Sequence, residues 1–314
     1  MMEPLVSIIM NGYNVAGFVA TAIDSVLRQQ YQNWEIVFWD NRSEDETASV
    51  VQGYRDSRIR YFLADSFTPL GEARNLAIEQ ASGELIAFLD CDDIWFPEKL
   101  SRQIPLFDRE EVGLVYSDTI FFNEAGDERP CYGGELPCEG ECFRTLLGRY
   151  FLSMETVVVR RSAIEEQSLW FDPRFNMIEE ADLFRRIGYR WQLAGVAEPL
   201  AKWRVHASSW TFRNPHLLRE ETELMLDDYR RRYPGFDREY AYEIEQLVDG
   251  IELAEARDAW LKGRKGLLVR HFLKVGGFGG LAKAALIACW PASQAARALK
   301  TRGEVLPTGL AGHE

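Results

Sequence analysis

Residues 85–100 read LIAFLDCDDIWFPEKL. Four apolar residues in a row, Leu85 to Phe88, suit a strand buried on both faces, and the chain then delivers Asp90, Asp92 and Asp93 within four positions. Such carboxylates repel one another unless something positive lies between them. The stretch predicts a buried strand whose C-terminal end carries polar chemistry, followed by a helix with Pro97 and Glu98 in its first turn.

The residues upstream repeat this pattern of strand, polar exit and helix. LVSIIM (5–10) is a compact apolar run followed by the turn formers NGYN, and Phe18, Val19, Ala22, Ile23, Val26 and Leu27 then recur on one helical face. WEIVFW (34–39) is a second strand ending at Asp40. Ser43 and Glu46 have capping-box spacing for a helix reaching about Tyr54. RIRYFLA gives a third strand, LGEARNLAIEQAS a helix closed by Gly83, and ELIAFLD the fourth strand. Strands separated by helices pair in parallel through right-handed crossovers, so the expected fold is α/β, a mostly parallel sheet with helices on both faces. Ligands bind such sheets at the carboxyl ends of the strands, which here carry Asn11, Gly12 and Tyr13, then Asp40 and Asn41, then Asp90 to Asp93.

The chain of 314 residues allows one large domain, or one with a helical appendage, and its net charge of -13 argues against nucleic-acid binding. From residue 261 onward nine Lys and Arg face only Glu304 and Glu314, a balance of +7 where the rest carries -20. That asymmetry predicts a different partner for the tail. Five cysteines, at 91, 131, 138, 142 and 289, lack CxxC pairing, and no signal peptide precedes them; free thiols and a cytoplasmic setting are expected. Cys131, Cys138 and Cys142 as zinc ligands would need a histidine nearby, and none is present. No apolar run reaches the ~20 residues of a membrane span.

The acids after the fourth strand admit three readings: a divalent-metal site, an acid/base site, or turn and capping chemistry. Asp40 on the same edge favours Mg²⁺ or Mn²⁺ with a diphosphate, since hard cations take carboxylate oxygens. The chain has no GxxxxGK[ST] loop and no GxGxxG after its first strand.

In order and spacing, VSIIMNGYN, AIDSVLRQQYQNWEIVFWDNRSEDET, GEARNLAIEQASGELIAFLDCDDIWFPEKL and FDPRFNMIEEADLFRRIGYRW resemble the family-2 inverting glycosyltransferases, over roughly residues 4 to 210. The resemblance implies a nucleotide-diphosphosugar transferase fold and a Mg²⁺ or Mn²⁺ cofactor. It makes Asp90 and Asp92 the D-x-D pair, with Asp92 the direct metal ligand and Asp90 near the ribose or a metal-bound water. Asp93 matches an extra acid, with capping of the next helix as its competing role. Asp40 matches the position that helps hold the nucleoside, Gly12 and Tyr13 the loop that walls the base, and Arg74 and Asn75 an ARN motif near the nucleotide. The sequence departs from the family in having Asn41 where a second Asp is common and Arg42 where a small residue is common. An amide oxygen can still accept from a uracil N–H, without charge assistance.

The same resemblance aligns Glu179, Glu180 and Asp182 with an E-D-x-D-L stretch and puts Glu180 at the catalytic base. Acids in a first helical turn also complement the helix dipole, which is the competing role of Glu179 and Asp182. KWRVHASS (202–209) resembles an R-x-H segment in which His206 binds metal or diphosphate, or is structural. Trp191, Trp203 and Trp210 suit either a sugar platform or the core. The domain expectation is a catalytic domain at 1–214 and a helical extension at 215–314, with residues 261–302 suited to an anionic membrane surface, a protein partner or simple packing. Expected partners are a nucleotide-diphosphosugar, UDP-linked by preference, and a glycan or lipid-linked glycan in cell-surface polysaccharide or lipopolysaccharide synthesis. The expected location is the cytoplasm, peripheral at the inner face of the plasma membrane. A scaffold that only binds nucleotide-sugar is one rival. A nucleotidyltransferase is the other, although MNGYNVAGF lacks the basic residues a triphosphate loop needs.

Overall fold

The computed structural model describes residues 3–206, 214, 216–261, 264 and 305. The opening run forms β1 (Val6–Gly12) and leads into α1 (Val19–Leu27); β2 (Trp34–Asp40) is followed by α2 (Thr47–Gln52), β3 (Ile59–Leu63) by α3 (Leu70–Glu79), and β4 (Leu85–Phe88) ends at the acids. These four strands pair in parallel, with Val6 opposite both Trp34 and Leu85 and with Gly12 opposite Asp40.

After β4 the sheet changes direction. β5 (Ile94–Trp95), α4 (Lys99–Gln103), the long β6 (Val112–Phe122), β7 (Glu128–Pro130) and α5 (Phe143–Gly148) come first, then β8 (Val158–Arg160), α6 (Arg161–Glu165), α7 (Glu179–Gly188) and β9 (Gln192–Arg204). Among the described residues the sheet runs β3-β2-β1-β4-β8-β6-β9-β5, with β7 against β6, and β8 joins β4 antiparallel. The parallel half is thus extended into a mixed sheet.

One face of the sheet, through Val6, Ile8, Met10, Ile36, Phe38, Leu85 and Ala87, shares a core with Val19, Ala22, Ile23 and Val26 of α1. Each of these side chains larger than alanine contributes roughly 1.5–3 kcal/mol by leaving water. Phe88 meets Phe171 at 5.6 Å and Phe184 at 5.9 Å between ring centroids, which seats α7 against the end of β4. Gly83 does more than end a helix: a Cβ there would lie 2.5 Å from the Leu5 carbonyl oxygen and 2.6 Å from Ser7 N, so only glycine lets this turn reach β1.

Three local expectations are corrected. Ser43 and Glu46 form no capping box; α2 starts at Thr47, and Ser43 N donates to Asp40 Oδ1 at 2.7 Å. Asp93 does not cap α4, because its Oδ1 accepts from Arg204 N of β9 at 2.9 Å. Cys138 and Cys142 form a disulfide across the turn at Gly140, where free thiols were expected; Cys91 and Cys131 take part in no disulfide among the described residues, and Cys289 lies outside them.

The chain divides into two compact units, one of Met1–Phe121, Pro130–Leu146 and Phe151–Arg204, the other of Phe122–Arg129, Leu147–Tyr150 and Val205–Glu314. The second contains α8 (Leu217–Arg232), α9 (Phe236–Glu239) and α10 (Ala241–Leu261), and Arg219 of α8 pairs with Glu252 at 2.7 Å and Glu255 at 2.6 Å, both on α10. Buried Phe236 meets Tyr229 edge-on at 5.6 Å and Tyr240 at a tilt at 5.1 Å. Among the described residues no helix is long and apolar enough to cross a membrane. Apart from Leu261 and Arg264, the expected membrane-surface segment 261–302 lies outside the described residues, as does Trp210.

Candidate active site

The first compact unit brings together the ends of β1, β2 and β4 and the start of α7. Two loops frame the edge. Asn14, in the left-handed region at φ 56°, accepts from Glu44 N at 2.8 Å; its own N donates to Ser43 Oγ, Val15 N to Thr47 Oγ1 and Ala16 N to Asp45 Oδ2. The exits of β1 and β2 are therefore stitched into one rim. Gly12 is fixed by packing, since a Cβ would fall 2.7 Å from the Phe38 ring. Tyr13 beyond it is 47% exposed and meets Phe67, 61% exposed, at 5.0 Å. Phe67 carried no signal in the sequence beyond being an aromatic in a polar loop.

Asp40 is fully buried, accepting from Tyr61 Oη at 2.7 Å and Ser43 N at 2.7 Å. The Asn41 amide is committed to the next loop: Nδ2 donates to Thr68 O at 2.8 Å, while Oδ1 accepts from Thr68 N at 3.1 Å and Thr68 Oγ1 at 3.3 Å. Asn75 is used in the same way, clasping the Phe171 backbone with bonds of 2.8 and 3.0 Å.

Arg74 is buried and joins two acidic segments, with Nη1 on Glu179 at 2.5 Å and Nη2 on Asp90 at 3.1 Å. Burial would lower its pKa, but Asp90, Glu179 and Glu180 together raise it, so the guanidinium stays charged. Arg204, from the R-x-H segment, pins the acidic turn through Asp93 and through Nε to the Asp92 carbonyl at 2.9 Å. Asp93 is buried and its pKa is well above the carboxylate range, from burial first and then from Asp92, Glu155 and Asp90. Beneath lies a group that the sequence reading missed because its segment carries no motif. Buried Glu155 is raised by burial against hydroxyl donors, and buried Lys99 donates to Thr156 O at 2.9 Å, its pKa lowered by burial to about 7.

On α7 the three acids are treated unequally. Glu179 pairs with Arg74, and Asp182 pairs with Arg186 at 2.8 Å, so both have roles beyond the helix dipole. Among the described residues no ion pair or side-chain hydrogen bond reaches Glu180. Burial and the neighbouring Glu179 push its carboxyl up to about 8, with Arg74 opposing. Leu183, Phe184 and Ile187 face the core. His206 belongs to the second unit. Trp203 packs on Phe121 at 5.2 Å, and Trp191 donates to Glu166 at 3.0 Å.

Among the described residues no group of three or more His, Cys, Asp or Glu side chains is arranged to hold a metal ion. What the edge offers is the Asp90 and Asp92 carboxylates on one turn, both partly open to solvent. Two hard oxygen donors of this kind suit Mg²⁺ or Mn²⁺ completed by water and phosphate oxygens.

The fold is shared with solved structures of low sequence identity. TarS residues 1–349 of S. aureus in complex with UDP-GlcNAc superposes with a TM-score of 0.55 at 16% identity, covering 86% of this chain and 90% of that one. The mannosyltransferase PcManGT of Pyrobaculum calidifontis, in complex with GDP-Man and Mn²⁺, does so at 0.56 and 16%, covering 92% and 88%. Residues 7–166 match the model of glycosyl transferase family 2, and the chain belongs to that family. Escherichia coli WfgD, a UDP-Glc:alpha-D-GlcNAc-diphosphoundecaprenol beta-1,3-glucosyltransferase, is 40% identical over 123 residues, 39% of this chain and 49% of WfgD. The amylovoran biosynthesis glycosyltransferase AmsB of Erwinia amylovora is 27% identical over 212 residues, 63% of this chain and 69% of AmsB. The matched part of the chain thus spans about half the length of WfgD.

Proposed function

We propose that the chain is an inverting glycosyltransferase, its catalytic domain at 1–214, that moves a sugar from a nucleotide-diphosphosugar to an acceptor hydroxyl. The observation that carries this reading is the unequal pairing on α7: Glu179 and Asp182 each pair with an arginine, whereas Glu180 forms no ion pair among the described residues and its carboxyl is raised to about 8. A carboxylate so placed is a proton acceptor poised near working pH.

In the reaction, ionised Glu180 takes the proton from the acceptor O–H as that oxygen bonds to the anomeric carbon. The bond from that carbon to the diphosphate oxygen breaks on the opposite face, its electron pair leaving with the diphosphate, and the configuration is inverted. Asp92, with Asp90, would hold Mg²⁺ or Mn²⁺, which when bound offsets charge developing on the departing diphosphate. Arg74 keeps Asp90 and Glu179 in fixed relation, so the donor end and the base helix are positioned together. Gly12, Tyr13, Asp40 and Asn41 border the nucleoside, with Asn75 behind them.

A UDP-sugar donor is supported by the activity named for WfgD and by the UDP-GlcNAc complex of TarS; a lipid-linked glycan acceptor is supported by WfgD, and a role in cell-surface polysaccharide synthesis by AmsB. With such an acceptor the enzyme works at the cytoplasmic face of the membrane, with residues 261–302 as its contact. The test is transfer from α-linked UDP-glucose and UDP-GlcNAc to a diphospholipid-linked GlcNAc in the presence of Mn²⁺, with the product's anomeric coupling read by proton NMR. A β-linked product, lost in Asp92→Ala, is expected; an α-linked product contradicts the mechanism.

A further inference from the structure

Arg42 stands out from the residues of the rim. Its φ is 72°, the left-handed region in which a side chain other than glycine or asparagine is strained, and it is exposed. It makes no hydrogen bond or ion pair among the described residues, whereas Asn14, the other described non-glycine residue at positive φ, is held by Glu44 N and Ser43 Oγ. Its strain is offset by no hydrogen bond or ion pair among the described residues, so the polar framework of the fold does not account for it.

Its position says what it is for. Arg42 directly follows Asn41, whose oxygen already accepts two hydrogen bonds from Thr68, so Asn41 has no lone pair left to receive an N–H from a nucleobase. Asn41 N is bonded to Gly12 O at 2.8 Å and its side chain to Thr68. The aromatic rings that flank it, Tyr13 after β1 and Phe67 after β3, meet each other across the end of β2. The acids Asp90 and Asp92 follow β4, two strands away in the order β2-β1-β4, or roughly 10 Å at the usual strand spacing. Phosphates belong at that end, and the flat apolar part of a nucleotide at this one.

We infer that Arg42 is a specificity-determining residue of the donor site, its guanidinium donating to the carbonyl oxygens of the donor's nucleobase in place of the recognition that Asn41 cannot supply. This rests on the reading of the chain as a nucleotide-sugar enzyme. Because only donors are offered, the base it takes must present acceptors, as the two carbonyls of uracil do.

The test measures binding of uridine, UDP and inorganic pyrophosphate, with Mn²⁺ present, to the full chain and to Arg42→Gly and Arg42→Asn. Both replacements tolerate a positive φ, so neither removes a fold contact. Expected is a roughly 10-fold weaker Kd for uridine and for UDP in both variants, unchanged pyrophosphate binding, and an unliganded Tm equal to or above that of the parent. Unchanged uridine affinity overturns the inference, and so does a loss confined to UDP and pyrophosphate, which would assign Arg42 to phosphate. A lower Tm would make Arg42 a structural residue and also overturn it. If the unaltered chain binds none of the three, the underlying functional reading fails first, and this inference with it.

Discussion

Asp118 on β6 and Glu180 on α7 are acids of the same compact unit, provided for in opposite ways. Asp118 is fully buried and accepts from four backbone N–H groups: Thr119 at 2.8 Å, Cys131 at 3.0 Å, Tyr132 at 2.9 Å and Gly133 at 3.1 Å. Its charge is spread over donors that the fold itself needs to satisfy, so Asp118 ties the 131–133 turn to β6. Among the described residues Glu180 has no ion pair and no side-chain donor; its own backbone N–H and the nearby Arg74 oppose the shift, and burial with Glu179 still raises it to about 8. Acids that build this fold are held by several donors or a paired arginine; among the described residues the acid proposed to do chemistry has neither. Asp182, paired with Arg186, follows Asp118, whereas Asp90, shared with Arg74 yet partly open, stands between the two classes.

The contrast can be strained first at Arg74. Replacing it by Met leaves Glu179 charged and buried, which costs about 3–5 kcal/mol in urea unfolding, and a second change, Glu179→Met, recovers most of that loss. If the single variant is as stable as the parent, the buried pair is not what joins α7 to the acidic turn. Asp118→Ala comes next, at about 2–3 kcal/mol, because four N–H groups lose their acceptor. Donor affinity should hardly change, since Asp118 belongs to the fold, and a variant that stays stable but loses donor binding would break the division drawn here.

A further prediction concerns pH. The folded-state pKa of Glu180 is raised from 4.5 to about 8, so the folded chain holds a proton that the unfolded chain releases between those values. Stability from this source is full below about pH 4.5 and is lost as pH rises through 8. Glu180→Gln does not titrate. Its Tm relative to the parent should therefore climb between about pH 5 and 8 and level off above, by roughly 2–4 °C for each kcal/mol involved. A Tm difference that stays flat across that range would mean Glu180 is not perturbed.

Much of the parallel half could be read from residue pattern, because each strand is a short apolar run and each ends in polar residues at the same edge. The acids of that edge were visible for the same reason. The antiparallel half was not, since β8 and β5 are only three and two residues long and leave no periodicity to detect. Side-chain commitments were also hidden. That Asn41 serves Thr68, Asp93 serves Arg204 and Asn75 serves Phe171 depends on partners 27, 111 and 96 residues away, which spacing along the chain cannot reveal. Arg42 could be noticed as an odd residue, but its positive φ appears only in the fold.

Single-turnover transfer by Glu180→Gln, with UDP-sugar affinity and Tm measured on the same preparation, tests the central claim most directly. The proposed role predicts donor affinity within about twofold of the parent and turnover lowered roughly 10²–10⁴-fold. Full turnover in that variant, at unchanged donor affinity, would show that Glu180 does not take the proton and that its lack of partners has another cause.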